Sequence, residues 1–376
     1  MEISTVNVLI LLGVTGCLLR EVLGQQCSTT GINGIAGCEC NFMGACDAFG
    51  NPKPNWAQYL PKAVDLYGFA EGGQKNLAYL CENNAVAILY DCNSKIPLYS
   101  ATVLNEMQIK APSAGQRPGN FRRSGQNNNL SPAFQQKDED YEGSLTRELC
   151  YKTQAFSPNY IVDNDWASAA GKQYPKNAPC PGGPPVKTAI HKGHLIASQY
   201  GRAVPDRMKA TFTYTNVVPQ FGDFNSNPWQ KCEGRLISWA KQNCVPVSGA
   251  TNAQLFIVVG AIPSTVPASG TRSQRYFGKT GFSDYEDIVD YPVNVPKTMW
   301  TAACCKYDDT SGASRYRNTA FERENSPGKA PCNEHNTHFL SLWLSLKSPG
   351  TGMDVNVFPA TPECFDSNNY VPLPPR

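Results

Sequence analysis

The sequence predicts an α+β fold in one large, disulfide-stabilised unit, and three observations lead there. Hydrophobic residues fill 41% of 376 positions, enough for a sizeable core. Strand-like and helix-like patterns follow one another in no strict alternation, which argues against a doubly wound parallel sheet. The chain carries 15 cysteines, an oxidised framework if it leaves the cytoplasm. Charge adds an exclusion: 33 Lys and Arg against 31 Asp and Glu describe neither an acidic tail protein nor a wholesale basic coat, so contact with a polyanion must be local.

The elements follow in chain order. Residues 6–19 are almost wholly apolar, and Val22-Leu23-Gly24 places a small residue before Gln25, as signal-peptidase cleavage after Gly24 requires. The run is too short to span a bilayer comfortably, and no later stretch approaches eighteen apolar residues. A secreted, extracellular protein with no membrane attachment after cleavage is expected. Loss of residues 1–24 removes Cys17 and leaves an even fourteen of the 15 cysteines. It also removes Arg20, Glu2 and Glu21, leaving 32 of the 33 basic and 29 of the 31 acidic residues. The only glycosylation sequon, Asn129-Leu130-Ser131, is weakened by Pro132 behind it.

Residues 25–59 form a cysteine-rich segment, with Cys27, Cys38, Cys40 and Cys46 among glycine, asparagine and threonine. Disulfides are expected there and not zinc, because Cys38-Glu39-Cys40 is not a knuckle spacing and no histidine lies near. Residues 60–376 are read as the main domain. Runs at 85–90 and 96–104 bracket an Asp-Cys-Asn-Ser turn and predict strand, turn, strand. Residues 111–187 are polar and rich in glycine and proline, a long irregular stretch of the kind that is uncommon unless functional. Residues 211–218 read as β-rich, and 229–242 have a helical period behind Pro228. Residues 255–259 read as a buried strand, and 339–346 as a helix or a strand. Adjacent Cys304 and Cys305 should each bond elsewhere.

Only four histidines exist, in two close pairs. His335 and His338 have i, i+3 spacing but no helical pattern, and read as structural or surface residues. In the other pair, Ala189-Ile190-His191-Lys192-Gly193-His194-Leu195 sets a cation, a glycine and a histidine into an apolar strand. Lys192 can meet a phosphate, Gly193 permits close approach by backbone or ligand, and His194 can take a proton. Alone, such a histidine is more often a packed one. Further on, Asn216-Val217-Val218-Pro219-Gln220 precedes Asn225, Trp229 and Glu233 at steps of four. Pro228 suits a first helical turn, so Asn225 is expected at the helix start with Trp229 and Glu233 along one face.

Together these segments resemble the DNA/RNA non-specific endonucleases of the Serratia nuclease and endonuclease G type. That family's signature is Asp-Arg-Gly-His, then Asn-x-x-Pro-Gln, then Asn, Trp and Glu at steps of five, four and four. Lys192-Gly193-His194 and the residues from Asn216 to Glu233 match without a gap. Residues 256–260 are similar to its strand ending in glycine, and 295–300 to its later Val-Pro strand. Residues 88–91 and 96–101 resemble the secreted animal branch, the endonuclease domain-containing 1 proteins.

The resemblance implies a ββα-metal core with a mixed, largely antiparallel sheet flanked by helices. It implies cleavage of DNA and RNA with one Mg²⁺ or Mn²⁺ ion. By it, His194 is the general base, Asn225 the sole direct metal ligand, and Glu233 orders water around the ion. Asn216, Gln220 and Lys192 face substrate, and an upstream arginine, Arg117 or Arg122, clamps phosphate. Two positions depart from the signature: His191 replaces its aspartate and Lys192 its arginine, which keeps the charge but loses the bidentate fork. His191 should point to the opposite strand face from His194. Four residues past Glu233, where a bacterial relative has arginine, stands Ile237, with Arg235 the nearest cation. These departures keep open the reading of a secreted matrix or nucleic-acid-binding protein without turnover, and the position of the cysteine-rich N-terminal segment keeps open that of a nuclease inhibited by it.

Overall fold

A computed structural model describes residues 27–61, 77–92, 94–111, 117–137, 149–151, 186–188, 190–201, 204–245, 251–263, 276–277, 293–325, 336–337 and 357–374. The expected leader at residues 1–24, His335, His338 and the run at 339–346 lie outside them. The strands are β1 (Leu77–Glu82), β2 (Val86–Asp91), β3 (Ile96–Asn105), β4 (Leu149–Tyr151), β5 (Val186–Thr188), β6 (Ile190–His194), β7 (Val217–Phe221), β8 (Thr251–Ile262), β9 (Tyr276–Phe277), β10 (Val293–Asn294), β11 (Thr298–Asp308), β12 (Ser314–Glu324) and β13 (Asn336–Thr337). The α-helices are α1 (Glu106–Lys110), α2 (Pro205–Thr211), α3 (Gly222–Phe224) and α4 (Gln230–Asn243).

The apolar run at 255–259 lies inside β8, at the centre of a seven-stranded sheet ordered β1-β2-β3-β8-β11-β12-β13 with every neighbour antiparallel. Both faces are covered, as near-continuous apolar strands require. On β11 the alternation is explicit: Met299, Ala303 and Cys305 enter one core, Trp300, Ala302 and Cys304 the other. The adjacent cysteines therefore pin different layers. Cys305 bonds Cys244 at the end of α4, and Cys304 bonds Cys364 in the C-terminal segment. Beside Trp300, Gly260 is required, since a Cβ there would stand 2.2 Å from the indole ring.

One face carries α1, α2, α4 and the β6–β7 pair, with Ile109, Ala210, Leu236 and Trp239 in its core. The other carries the cysteine-rich segment, whose Ile35, Phe42 and Met43 pack with Leu89, Tyr99 and Phe256. Disulfides Cys38–Cys81 and Cys27–Cys92 tie that segment to β1 and to the turn after β2, and Cys40–Cys46 closes a small loop within it. Each link of this kind is worth about 2–4 kcal/mol. Asn129 of the sequon donates to the Gly34 carbonyl at 3.3 Å and to Gln126 Oε1 at 2.9 Å, so a glycan on that nitrogen, which leaves it one N–H, would cost at least one of the two bonds. Among the described residues no helix is long and apolar enough to cross a membrane.

Two local expectations change. Residues 211–218 are not one β segment: Pro205 opens α2 as an N-terminal proline, Tyr214–Asn216 form a 3₁₀ turn, and strand begins only at Val217. Tertiary pairing overrides the β-propensity of the threonine and tyrosine run. Nor does the helix start near Asn225. It starts with α3 at Gly222 and passes through a π-helical turn, Asn225–Trp229, into α4. The wider turn accommodates Pro228, which lacks the N–H that an α-helical interior needs.

Candidate active site

Strand β6 pairs with β7 so that His191 faces Gln220, Gly193 faces Val218 and His194 faces Val217. Antiparallel pairing thus brings together the two motifs that the sequence separates by some twenty residues. Pleating sends Lys192 and His194 to one side and His191 to the other.

On the first side the His194 ring lies 4.9 Å from the Phe212 ring and 5.1 Å from that of Phe121, centroid to centroid. The ammonium of Lys192 sits 5.5 Å over Phe121 and 5.4 Å over Tyr214, and the Arg117 guanidinium 5.4 Å from Phe212. Two cations and one imidazole therefore share an aromatic floor. His194 Nε2 is sealed from solvent and has no hydrogen-bond partner. Burial, and then the nearby Arg117 charge, lower the His194 pKa to about 3, so the ring is neutral at pH 7.

Glu233 lies on α4 within electrostatic reach of the same Arg117. Burial pushes its carboxyl up to about 8, against stabilising contacts that include Gln199, whose Nε2 donates to Oε2 at 3.3 Å. Tyr200 adds a hydroxyl bond to the Glu233 carbonyl at 3.4 Å. Trp229 is a core residue, stacked on Phe224 and tilted against Phe321, each at 5.5 Å.

On the other side, Asn225 Nδ2 is 3.5 Å from His191 Nδ1, and Ser226 Oγ is 3.4 Å from the same nitrogen. Burial lowers the His191 pKa, opposed by the charge of Asp223. Asn225 thus meets His191 and makes no hydrogen bond with His194.

Several expected contacts resolve differently. Asn216 does not face substrate: it is wholly buried, donating to the carbonyls of Ile196 at 3.0 Å and Thr211 at 3.1 Å and accepting from Ile196 N at 3.0 Å. It fixes the chain just past His194 against the end of α2. Gln220 is also wholly buried, yet neither carboxamide atom has a partner. What approaches Gly193 is this side chain, since a Cβ there would stand 2.1 Å from Gln220 Cδ. Arg122 turns away and donates to Asn83 Oδ1 at 2.9 Å, while its backbone bonds Phe212 and Tyr214. Arg117 is the arginine at the site. Arg235 donates to the Pro374 carbonyl at 2.7 Å, and Ile237 is core.

Supporting residues without a local sequence signature also appear. Asn325 donates to the Pro219 and Pro296 carbonyls and accepts from Phe221 N, and Gln136 donates to Val217 O at 2.8 Å. Both hold β7 in place from distant positions in the chain.

His194, Lys192 and Arg117 thus share one aromatic floor, and half-buried Asn225 meets His191 on the other side of the strand. The family model described as DNA/RNA non-specific endonuclease matches residues 63–349, and the chain belongs to that family. A solved structure of the EndoG/EndoGI complex is similar at 12% identity, over 77% of this chain and 91% of that one, with a TM-score of 0.43. Among curated protein sequences there is no significant match.

Proposed function

We propose that the protein is a secreted, divalent-metal-dependent endonuclease that hydrolyses DNA and RNA without sequence preference. The observation that carries this reading is the neutral His194 with its unpartnered Nε2 beside Arg117 and Lys192. A buried ring nitrogen left unsatisfied costs about 1–3 kcal/mol, a cost that native folds tolerate mainly where chemistry needs it.

Arg117 and Lys192 would bind the phosphodiester through its oxygens, which every sequence presents alike. His194 Nε2 would accept the proton of a water attacking phosphorus, as the bond to the leaving 3′-oxygen breaks. A bound phosphate brings negative charge against the imidazole and raises its basicity from the low value of the free protein.

The donor set suits one hard cation. Among the described residues no three His, Cys, Asp or Glu gather into a metal cage, while half-buried Asn225 offers one carboxamide oxygen. A Mg²⁺ or Mn²⁺ that keeps most of its water needs one such oxygen plus substrate phosphate. When bound, it would neutralise charge developing on the phosphate and the leaving oxygen. Glu233 would order water around that ion.

From Ile35 onward the N-terminal segment packs on the sheet face opposite the β6–β7 pair, which favours a structural role for it over self-inhibition. Secretion is supported by the disulfides, which suit an oxidising compartment.

The test is plasmid nicking by oxidised protein in Mg²⁺ or in EDTA, beside His194→Ala and Asn225→Ala. Metal-dependent loss of supercoiled DNA that both substitutions abolish is the expected result. Intact DNA and RNA with a folded wild type would replace this reading with that of a binding or matrix protein.

A further inference from the structure

Resting on that reading, the surroundings of Asn225 say more about the ion it holds. His191 stands where the family signature has aspartate, and its Nδ1 faces the Asn225 carboxamide at 3.5 Å and Ser226 Oγ at 3.4 Å. The nitrogen and oxygen of a carboxamide exchange places by a half-turn, and here the only described contact of Nδ2 is His191 itself. After that half-turn an imidazole nitrogen and an amide oxygen face each other. Their spacing is close to that of two ligands each about 2.1 Å from one ion. Both donors are fixed by backbone, His191 through pairing with Gln220 and Asn225 by the π-helical turn.

We infer that His191 Nδ1 is a second direct ligand of the divalent cation, alongside Asn225 Oδ1, with Ser226 Oγ placed to bind a water of that ion. An imidazole ligand changes which cation the site prefers. Mg²⁺ gains little from nitrogen, whereas affinity for Mn²⁺, Co²⁺ and Zn²⁺ rises. The site would therefore discriminate for borderline cations, as an asparagine alone would not.

The experiment uses full-length oxidised protein labelled with ¹⁵N-histidine and loaded with Mn²⁺. Electron spin-echo spectroscopy reads coupling from a directly bound nitrogen, and calorimetry with Co²⁺ and with Mg²⁺ reads affinity. Wild type should show ¹⁵N coupling that survives His194→Ala and disappears in His191→Ala and in His191→Asn. Co²⁺ affinity should fall on the order of 10- to 100-fold in both His191 variants. Mg²⁺ affinity should change little.

Circular dichroism and thermal unfolding establish that each variant is folded, and the two replacements keep the test open if one is not. Absent coupling in wild type, coupling retained without His191, or unchanged Co²⁺ affinity would overturn the inference. Nicking in Mg²⁺ without coupling would leave the nuclease reading standing and remove only this ligand. Coupling without nicking in any metal would do the reverse.

Discussion

Asn216 and Gln220 are carboxamides four residues apart in one motif, both wholly buried, and they are treated in opposite ways. Asn216 spends its groups on three backbone partners, whereas neither carboxamide atom of Gln220 has any. The same side-chain chemistry is thus scaffold at one position and unsatisfied polarity beside Gly193 at the other. The difference teaches that burial alone does not separate framework from site; hydrogen-bond satisfaction does.

Breaking that comparison is direct. Asn216→Ala leaves the Ile196 amide and the carbonyls of Ile196 and Thr211 without partners, and should cost about 2–4 kcal/mol in urea unfolding. Gln220→Met removes polarity that has no partner, so stability should hold within about 1 kcal/mol or rise, while cleavage falls. Equal destabilisation by both would mean that Gln220 is also framework.

The two arginines sharpen the contrast between site and scaffold. Arg117→Ala should raise KM for a short duplex by about tenfold, the scale of one charge-assisted phosphate contact. Arg122→Ala, which severs a bond to Asn83 on the far side of its loop, should leave KM within about twofold. Reversed effects would exchange their roles.

The smallest effect concerns Glu233. Its folded carboxyl, pushed up to about 8 from an ordinary 4.5, stays neutral at pH 7, where the unfolded chain's would ionise. Stability from this group is therefore complete below pH 4.5 and lost as pH rises through 8. Glu233→Gln should remove that slope and stabilise the metal-free protein at pH 8 by about 1–2 kcal/mol, after allowance for its partial exposure. Cleavage should drop in the same variant. A wild-type stability that rises between pH 5 and 8 through this residue would contradict the buried carboxyl.

Much of this was legible in the sequence because it is local. The gapless offsets from Lys192 to Glu233, the apolar run inside β8 and the adjacent cysteines each lie within one continuous stretch of chain. Asn325 and Gln136 were not legible, since nothing near either one marks the strand β7 that they hold from 106 and 81 positions away. The choice between Arg117 and Arg122 was likewise closed to spacing. In the fold, Arg122 is bonded through its backbone to residues 212 and 214 with its side chain on Asn83, while Arg117 lies over Phe212 beside His194. The π-helical turn escaped because Pro228 reads equally well as the first turn of a helix.

The central claim is that His194 takes the proton from the attacking water, and chemical rescue tests it most directly. His194→Ala should lose on the order of 10²- to 10⁴-fold in single-turnover cleavage of an oligonucleotide in Mg²⁺. Added imidazole should restore part of that rate to His194→Ala and none to Asn225→Ala. A folded His194→Ala that cleaves like wild type, or imidazole that rescues both variants alike, would contradict it.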